Sequence, residues 1–164
     1  MVEDRALKEV DKKGFKGADY NYAAMKAKLR LISLAKSTFN VNAECLADQK
    51  DWKLNYDLGE IACKYEPSRG VVSAIFQYQV IAKLGRKTAM KCAAEYVVLY
   101  SVPSDCEAQA AEAFCHNVGS FAAYPYFRGL VAHLASGANL MLPPLPSIAS
   151  TAHIPKSNKK DDEE

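Results

Sequence analysis

Val71–Leu84, with the sequence VVSAIFQYQVIAKL, and residues 88–100, TAMKCAAEYVVLY, decide the fold of this chain. In both segments apolar residues alternate with more polar ones, so each segment predicts a β-strand with one apolar face. Residues 84–87 form a short connection, and Gly85 can adopt the positive φ that a tight turn requires. The two segments therefore predict an antiparallel hairpin that other parts of the chain cover on one side.

Two more strands are predicted upstream of this hairpin. Residues 29–41 form a long, weakly alternating segment, and in residues 52–58 every second residue from Trp52 to Leu58 is apolar. Both patterns indicate strands with one face toward the core. Before them, Tyr22, Met25 and Leu29 recur at helical spacing within residues 19–30, which predicts a short amphipathic helix.

The last third of the chain is predicted to be helical. Ser104-Asp105-Cys106-Glu107 has the form of a capping box, in which both side chains satisfy amides at the start of a helix. Pro125 is predicted to end that helix and begin a second one, because proline disfavours helix at the preceding residue and suits a first turn. Gly137 is predicted to close the second helix. Strands followed by helices give an α+β fold: a four-stranded antiparallel sheet followed by two C-terminal helices packed on it.

Composition limits the class of protein. The chain has 164 residues, 49% of them hydrophobic and 24% charged, which is typical of one domain with a sizeable core. We expect residues 1–19 to be flexible, residues 20–150 to form the domain, and residues 151–164 to be a polar disordered tail. A net charge of +2 is too mild to indicate nucleic-acid binding. The apolar runs are shorter than the roughly 18–20 residues that membrane insertion requires, and the N-terminus has no signal-peptide pattern, so we expect a cytoplasmic location.

The reactive side chains form no pattern typical of an active site. Ser33-Leu34-Ala35-Lys36 matches the Ser-x-x-Lys of penicillin-recognising enzymes, but the companion motifs are missing. His116, His133 and His153 share no metal-ligand spacing with each other or with the cysteines. The five cysteines include no C-x-x-C pair and are typical of small buried side chains. We therefore predict a protein that is not an enzyme and binds no metal or cofactor.

From Phe121 to Leu145, the sequence FAAYPYFRGLVAHLASGANLMLPPL closely resembles the signature of the SecB family of protein-export chaperones. The family's aromatic-Pro-Tyr-x-Arg junction matches Tyr124-Pro125-Tyr126-Phe127-Arg128, and its Leu-x-Leu-x-Pro stretch matches Leu140-Met141-Leu142-Pro143-Pro144. Gly137 lies at the family's glycine-containing turn. The resemblance extends over about residues 28–150, because the strands and the hairpin around Gly85 follow in the family's order.

This resemblance implies an assembly and a function. The family forms a homotetramer, a dimer of dimers, which holds unfolded polypeptides without ATP and delivers them to the SecA motor for protein translocation. An acidic sheet face meets SecA in that family, whereas the corresponding hairpin here carries Lys83, Arg86, Lys87 and Lys91. The chain is also similar to SecB-like chaperones that protect a labile antitoxin. The expected partners are thus unfolded clients, SecA or an antitoxin, and further copies of the chain.

Two functions remain open at this point. One is a holdase for unfolded or export-bound polypeptides, and the alternative is a non-chaperone scaffold or ligand-binding subunit that retains the SecB fold. Structural roles are predicted for Pro125, Gly137 and Arg128, the last as a tie to a carboxylate or a carbonyl. The candidate client-binding residues are large apolar side chains on the strands and near the helix junction, each of which could equally belong to the core: Trp52, Tyr56, Phe76, Tyr78, Tyr124 and Leu142.

Assembly is predicted through two surfaces. Long strands without obvious edge protection tend to pair with a copy of themselves, which would form a dimer. A helix over residues 105–118 would then join two dimers into a tetramer, with a stable dimer as the weaker alternative. This helix carries small side chains that allow a second helix to approach closely, at Ala108, Ala110, Ala111 and Ala113.

Overall fold

The computed structural model describes residues 16–147 of the chain. The four strands form one antiparallel sheet in the order β1-β4-β3-β2, and the long C-terminal helix packs on it. The predicted α+β fold class with a four-stranded antiparallel sheet is therefore confirmed. The elements in chain order are α1 (Gly17–Lys26), β1 (Lys28–Val41), a 3₁₀ segment (Ala43–Asp51), β2 (Lys53–Glu66), a 3₁₀ turn (Pro67–Arg69), β3 (Val71–Leu84), β4 (Lys87–Ser101) and α2 (Ala108–Gly137).

The two inner strands, β3 and β4, form the hairpin that the sequence predicts. Gly85 lies in its turn with φ of 58°. Alternate side chains are buried along both strands and face α2, so the core lies between α2 and this side of the sheet. On β3 the buried set is Val72, Ala74, Phe76, Tyr78, Val80 and Ala82, and on β4 it is Met90, Cys92, Ala94, Tyr96, Val98 and Tyr100.

The predicted break at Pro125 is wrong, because α2 is one continuous helix with Pro125 inside it. A proline in a helix interior removes one hydrogen bond and typically costs about 3 kcal/mol. Here Pro125 lies on the exposed side of the helix, whereas Ala123 and Phe127 on either side of it are buried. Core packing on both sides of the proline therefore holds the helix together through it.

The ends of α2 also differ from prediction. Glu107, not Ser104, caps the first turn, and its carboxylate accepts a hydrogen bond from the Ala110 amide at 2.6 Å. Gly137 is the last helical residue, but the left-handed residue that turns the chain is Asn139, with φ of 54°. The Leu140 amide then donates to the Ala135 carbonyl at 2.9 Å, and the Asn139 amide to that of Ser136 at 3.0 Å. These are the two bonds of a Schellman motif, in which asparagine tolerates the left-handed conformation.

The N-terminal helix is shorter than predicted. It ends at Lys26, and Leu29 already belongs to β1. Its buried residue is Ala23, whereas Met25, predicted to lie on its apolar face, is 82% exposed. Residues 17–19, predicted to be flexible, lie within this helix. Residues 1–15, the predicted tail 151–164 and the last three residues of the predicted domain lie outside the described part of the chain.

Two premises of the assembly prediction are not met. Both edge strands carry register irregularities, around Arg30 and Ala35 in β1 and around Ile61 in β2, and bulges of this kind disfavour edge pairing. Ala110 and Ala111 are fully buried in their own domain, so they cannot contact a helix of another protomer. No helix in residues 16–147 is both long and apolar enough to cross a membrane.

Candidate functional site

Helix α2 lies very close to β3 near its midpoint. A Cβ atom at Gly119 would lie 2.8 Å from the Phe76 ring, so only glycine allows this approach. At the next residue of α2, the Ser120 carbonyl accepts a hydrogen bond from the Tyr78 hydroxyl at 2.7 Å. Burial raises the pKa of Tyr78 above its usual value of 10, because an ionised phenolate would be poorly solvated there. This close contact seals the middle of the sheet.

One flank of α2 faces the outer strand β2, and the other faces β4 and, beyond it, β1. On one flank, Glu112 accepts from the Tyr65 amide of β2 at 3.2 Å, and His116 Nδ1 lies 2.7 Å from Glu60 Oε2. On the other flank, the Phe114 ring packs edge-on against Tyr100 of β4, with ring centroids 5.1 Å apart. Side chains four residues apart share one side of a helix, so each flank continues along α2 beyond these contacts.

The β2 flank is incompletely covered beyond the His116–Glu60 contact. Tyr56 and Leu58 pair with Val80 and Tyr78 across the β2–β3 ladder, so they share the face that α2 packs against. Their partners on β3 are buried, yet Tyr56 is 45% and Leu58 is 43% exposed. We call these two residues the β2 strip. They lie at the edge of the sheet, where α2 covers them only in part.

A second apolar surface lies on the β1 side of α2. Leu29 and Leu34 of β1 pair with Tyr100 and Tyr96, so they also point to the α2 side of the sheet. Both are more than two-fifths exposed. On α2, Val118 and Phe121 follow Phe114 at helical spacing on the same flank and are exposed as well. We call Leu29, Leu34, Val118 and Phe121 the β1 strip.

The structure places the six predicted contact residues in three different settings. Phe76 and Tyr78 are each 1% exposed and belong to the core, so a client cannot reach them in this conformation. Trp52 is half-buried and donates from its ring nitrogen to the Cys45 carbonyl at 3.1 Å, which anchors the 3₁₀ segment. Tyr56 is the member of the set that lies open, at the sheet edge.

Tyr124 and Leu142 hold the C-terminal segment, which folds back along the second half of α2. The Tyr124 hydroxyl donates to the Pro146 carbonyl at 2.6 Å. Leu142 lines a cavity of about 350 Å³ between this segment and α2. Arg128 also lines it and donates to the Ser147 hydroxyl at 3.4 Å, so it ties the segment down through a hydroxyl rather than the predicted carboxylate or carbonyl.

Most residues of the two strips were not predicted from the sequence. Leu58 belongs to the same apolar alternation as Tyr56. This alternation is also typical of buried strands, so it does not predict that the two side chains are exposed. Leu29 and Leu34 lie on either side of the irregularity around Arg30, so they do not follow a simple period of two. Helical periodicity does not show which side chains of α2 stay exposed. The exposure of Val118 and Phe121 depends on which strands are outermost, which local sequence patterns do not reveal.

The thiols near α2 are buried and protonated rather than reactive. A hydrogen bond with Cys115, together with burial, raises the pKa of the Cys63 thiol, and burial raises the pKa of Cys92 to about 11. A thiol is a weak nucleophile when its pKa is raised. Within residues 16–147, no group of three or more His, Cys, Asp or Glu side chains is arranged to hold a metal ion.

Comparison with known proteins gives one informative likeness. No protein-family model and no curated protein matches this chain. Among solved structures it is similar to the Mycobacterium tuberculosis SecB-like chaperone Rv1957, in complex with a ChAD peptide from the Rv1956 HigA1 antitoxin. The two share 16% identity with a TM-score of 0.67, over 80% of this chain and 97% of that one. This likeness shows that the chain has a SecB-like fold.

A second solved structure is a protein of unknown function from Streptococcus agalactiae. It shares 11% identity with a TM-score of 0.34, over 76% of this chain and 97% of that one. A likeness this weak supports no conclusion. The SecB-like fold therefore rests on the mycobacterial chaperone and on the sheet order and helix packing described above.

Proposed function

We propose that this protein is an ATP-independent chaperone that holds unfolded polypeptides on the two apolar strips beside α2. The observation that carries the proposal is the pair of strips itself: large apolar side chains lie exposed on the face of the sheet that α2 otherwise seals. Exposed apolar surface of this kind is typical of interaction sites. The SecB-like fold supports the same function.

The energetics of client binding favour an oligomer. Micromolar affinity needs about −8 kcal/mol, and ordering a flexible client costs about 2–5 kcal/mol more. At about 1.5–3 kcal/mol for each fully buried apolar side chain, about five or six anchors are required. The two strips of one protomer supply six side chains that are already partly buried. Repeating the strips in a homotetramer would add avidity without new contacts, so we propose that assembly here as well.

The finer function we propose is protection of a dedicated client such as an antitoxin, rather than delivery of preproteins to SecA. The solved relative was captured with an antitoxin peptide, which supports a peptide client here. The basic hairpin supports the same choice, because Lys83, Arg86 and Lys87 stand where the export family has an acidic docking face.

We also propose a cytoplasmic location. The five cysteines support it, because all of them are free thiols, which a reducing cytoplasm maintains.

Suppression of aggregation tests this function directly. A chemically denatured model enzyme is diluted into buffer with and without the protein, in the absence of ATP, and light scattering is recorded. We expect suppression at stoichiometric amounts of wild type and a clear loss for Leu34→Ser. The matched control is Leu46→Ser, since Leu46 is similarly exposed but lies on the 3₁₀ segment, outside both strips.

The alternative, a scaffold or ligand-binding subunit without chaperone activity, predicts different results. Wild type would then fail to suppress aggregation even in excess. Native mass spectrometry of protein purified from its host would show one discrete ligand or one folded partner instead of a mixture of unfolded chains. Either result would overturn the holdase.

A further inference from the structure

The face of the sheet opposite α2, which we call the open face, has an unusual composition. In the described part of the chain, no helix packs on it, because the alternating buried side chains of β3 and β4 point the other way, with Ala89 beside the register shift near the turn as the exception. Strand alternation places three lysines around Ile81 at the hairpin end of this face and a group of four aliphatic residues toward the other end. This arrangement is independent of the strips beside α2 and of any chaperone activity.

The lysines form a cluster at the hairpin end of the open face. Lys53 and Lys83 are direct cross-strand partners in the β2–β3 ladder, and Lys91 lies on the neighbouring strand beside them. Like charges directly opposite each other destabilise a sheet. None of the three forms an ion pair with a residue in 16–147, whereas Lys36 and Lys64 elsewhere on this face pair with Glu95 and Glu66 at 3.7 and 3.3 Å. The fold gains nothing from this cluster.

Aliphatic side chains form the other part of the open face. Leu31 and Leu99 are cross-strand partners, and Val97 pairs with Ile75 on the next strand, so the four are contiguous. Leu31 is 47% exposed, and the other three are only half-buried. Such an exposed patch, on the same face as a basic cluster, is typical of a surface that another molecule covers.

We propose that the open face docks an acidic polypeptide segment that also carries aliphatic side chains. Its carboxylates would neutralise Lys53, Lys83 and Lys91, which removes the repulsion that the free protein carries. Its apolar side chains would cover the patch around Leu31 and Leu99. Asp57 lies on the same face, and its carboxylate accepts a hydrogen bond from the Leu58 amide at 2.9 Å. One carboxylate against three lysines leaves this end of the face positive.

A nucleic acid fits this face less well than a polypeptide. Proteins that hold single-stranded nucleic acids stack bases on aromatic side chains. The positions of β3 and β4 that point to the open face carry aliphatic, small, polar or charged residues and no aromatic ones. The chain is also only mildly basic, with a net charge of +2. The observations therefore favour an acidic polypeptide.

Fluorescence anisotropy tests the proposal with three probes: a labelled peptide of glutamates interspersed with leucines, its glutamine-for-glutamate analogue, and an RNA oligonucleotide. We expect wild type to bind the acidic peptide, with affinity that falls as salt is added, and to bind the other two at least about tenfold more weakly. Lys83→Glu/Lys91→Glu should weaken peptide binding about tenfold. Lys16→Glu/Lys26→Glu, the same charge change on α1, is the matched control and should leave it within about twofold.

Lys53→Glu separates docking from folding. It replaces the repulsive pair with an attractive one, so we expect its thermal midpoint to rise while its affinity for the acidic peptide falls. Equal binding of the glutamine analogue, tighter binding of the RNA, or unchanged peptide affinity in Lys53→Glu would each overturn the proposal. A dimer that Lys83→Glu/Lys91→Glu dissolves would also overturn it, because a second copy would then occupy this face.

Discussion

The inner and outer strands of this sheet have similar patterns but opposite environments. On β3 and β4 every second side chain is buried under α2, whereas on β1 and β2 the corresponding positions include Leu34, Tyr56 and Leu58, which stay exposed. One helix is not wide enough to cover four strands. The inner strands therefore hold the fold together, and the outer strands are left with apolar surface that is available for binding.

The largest expected effect is the contrast between Phe76 on an inner strand and Leu58 on an outer one. Phe76→Ala opens a cavity beneath α2 and should lower the free energy of unfolding by about 3–5 kcal/mol. Leu58→Ala should lower it by less than about 1 kcal/mol, because much of that side chain is already in water. Urea denaturation of both variants measures the difference. Similar losses in the two variants would contradict the division between inner and outer strands.

A smaller effect is expected at the close approach of α2 to β3. Alanine at Gly119 must displace the buried Phe76 ring, and overpacking of this kind costs about 1–3 kcal/mol, only partly offset by about 1 kcal/mol of better helix propensity. Alanine at Gly129, in the same helix with open space around it, should gain about 1 kcal/mol. A stabilising Gly119→Ala would show that α2 does not lie this close to the sheet.

Alkaline pH should lower the free energy of unfolding through Tyr78, which lies on the side of the sheet that α2 covers. Because burial raises the pKa of Tyr78, the folded protein binds that proton more tightly than the unfolded chain does. The stabilisation is then complete below about pH 10 and is lost as the pH rises toward the raised pKa. Unfolding midpoints in urea between neutral and alkaline pH should fall steeply for wild type and less steeply for Tyr78→Phe. Tyr126→Phe, which removes an exposed hydroxyl from α2, is the control, and equal slopes in all three proteins would contradict the account.

The smallest effects are expected where the C-terminal segment returns along α2. Tyr124→Phe removes a short hydrogen bond to Pro146 and should cost about 0.5–1.5 kcal/mol. Arg128→Ala removes a longer bond to the exposed Ser147 and should cost less than about 0.5 kcal/mol. Thermal unfolding measures both. If Arg128→Ala lost client binding at unchanged stability, its assignment as a structural residue would be wrong.

The inner strands could be predicted from the sequence because their alternation follows directly from burial on one face. The outer strands could not be recognised as outer, since Trp52, Leu54, Tyr56 and Leu58 alternate like a buried strand and only the sheet order places them at the edge. The continuity of α2 was missed for a related reason. Pro125 locally favours a break in the helix, but the burial of Ala123 and Phe127 in the core stabilises one continuous helix.

The candidate site was predictable only in part. The resemblance around Tyr124-Pro125-Tyr126-Phe127-Arg128 led to the predicted chaperone function. The six candidate contact residues were predicted as large apolar side chains on the strands and near the helix junction. Phe76 and Tyr78 proved to be core, because apolar side chains on an inner strand lie under the helix. Leu29, Leu34, Val118 and Phe121 come together from two distant segments, and only the tertiary structure brings them to one surface.

Site-specific photo-crosslinking to an unfolded client tests the central claim most directly. A photoreactive amino acid replaces either Leu34, on the α2 side of β1, or Leu46, on the 3₁₀ segment outside both strips, and the protein is irradiated with a reduced, unfolded model protein. We predict strong crosslinks from position 34 and few from position 46, because clients bind on the strips beside α2. Equal crosslinking from both positions, or more from position 46, would contradict the proposal that the uncovered outer strands hold the client.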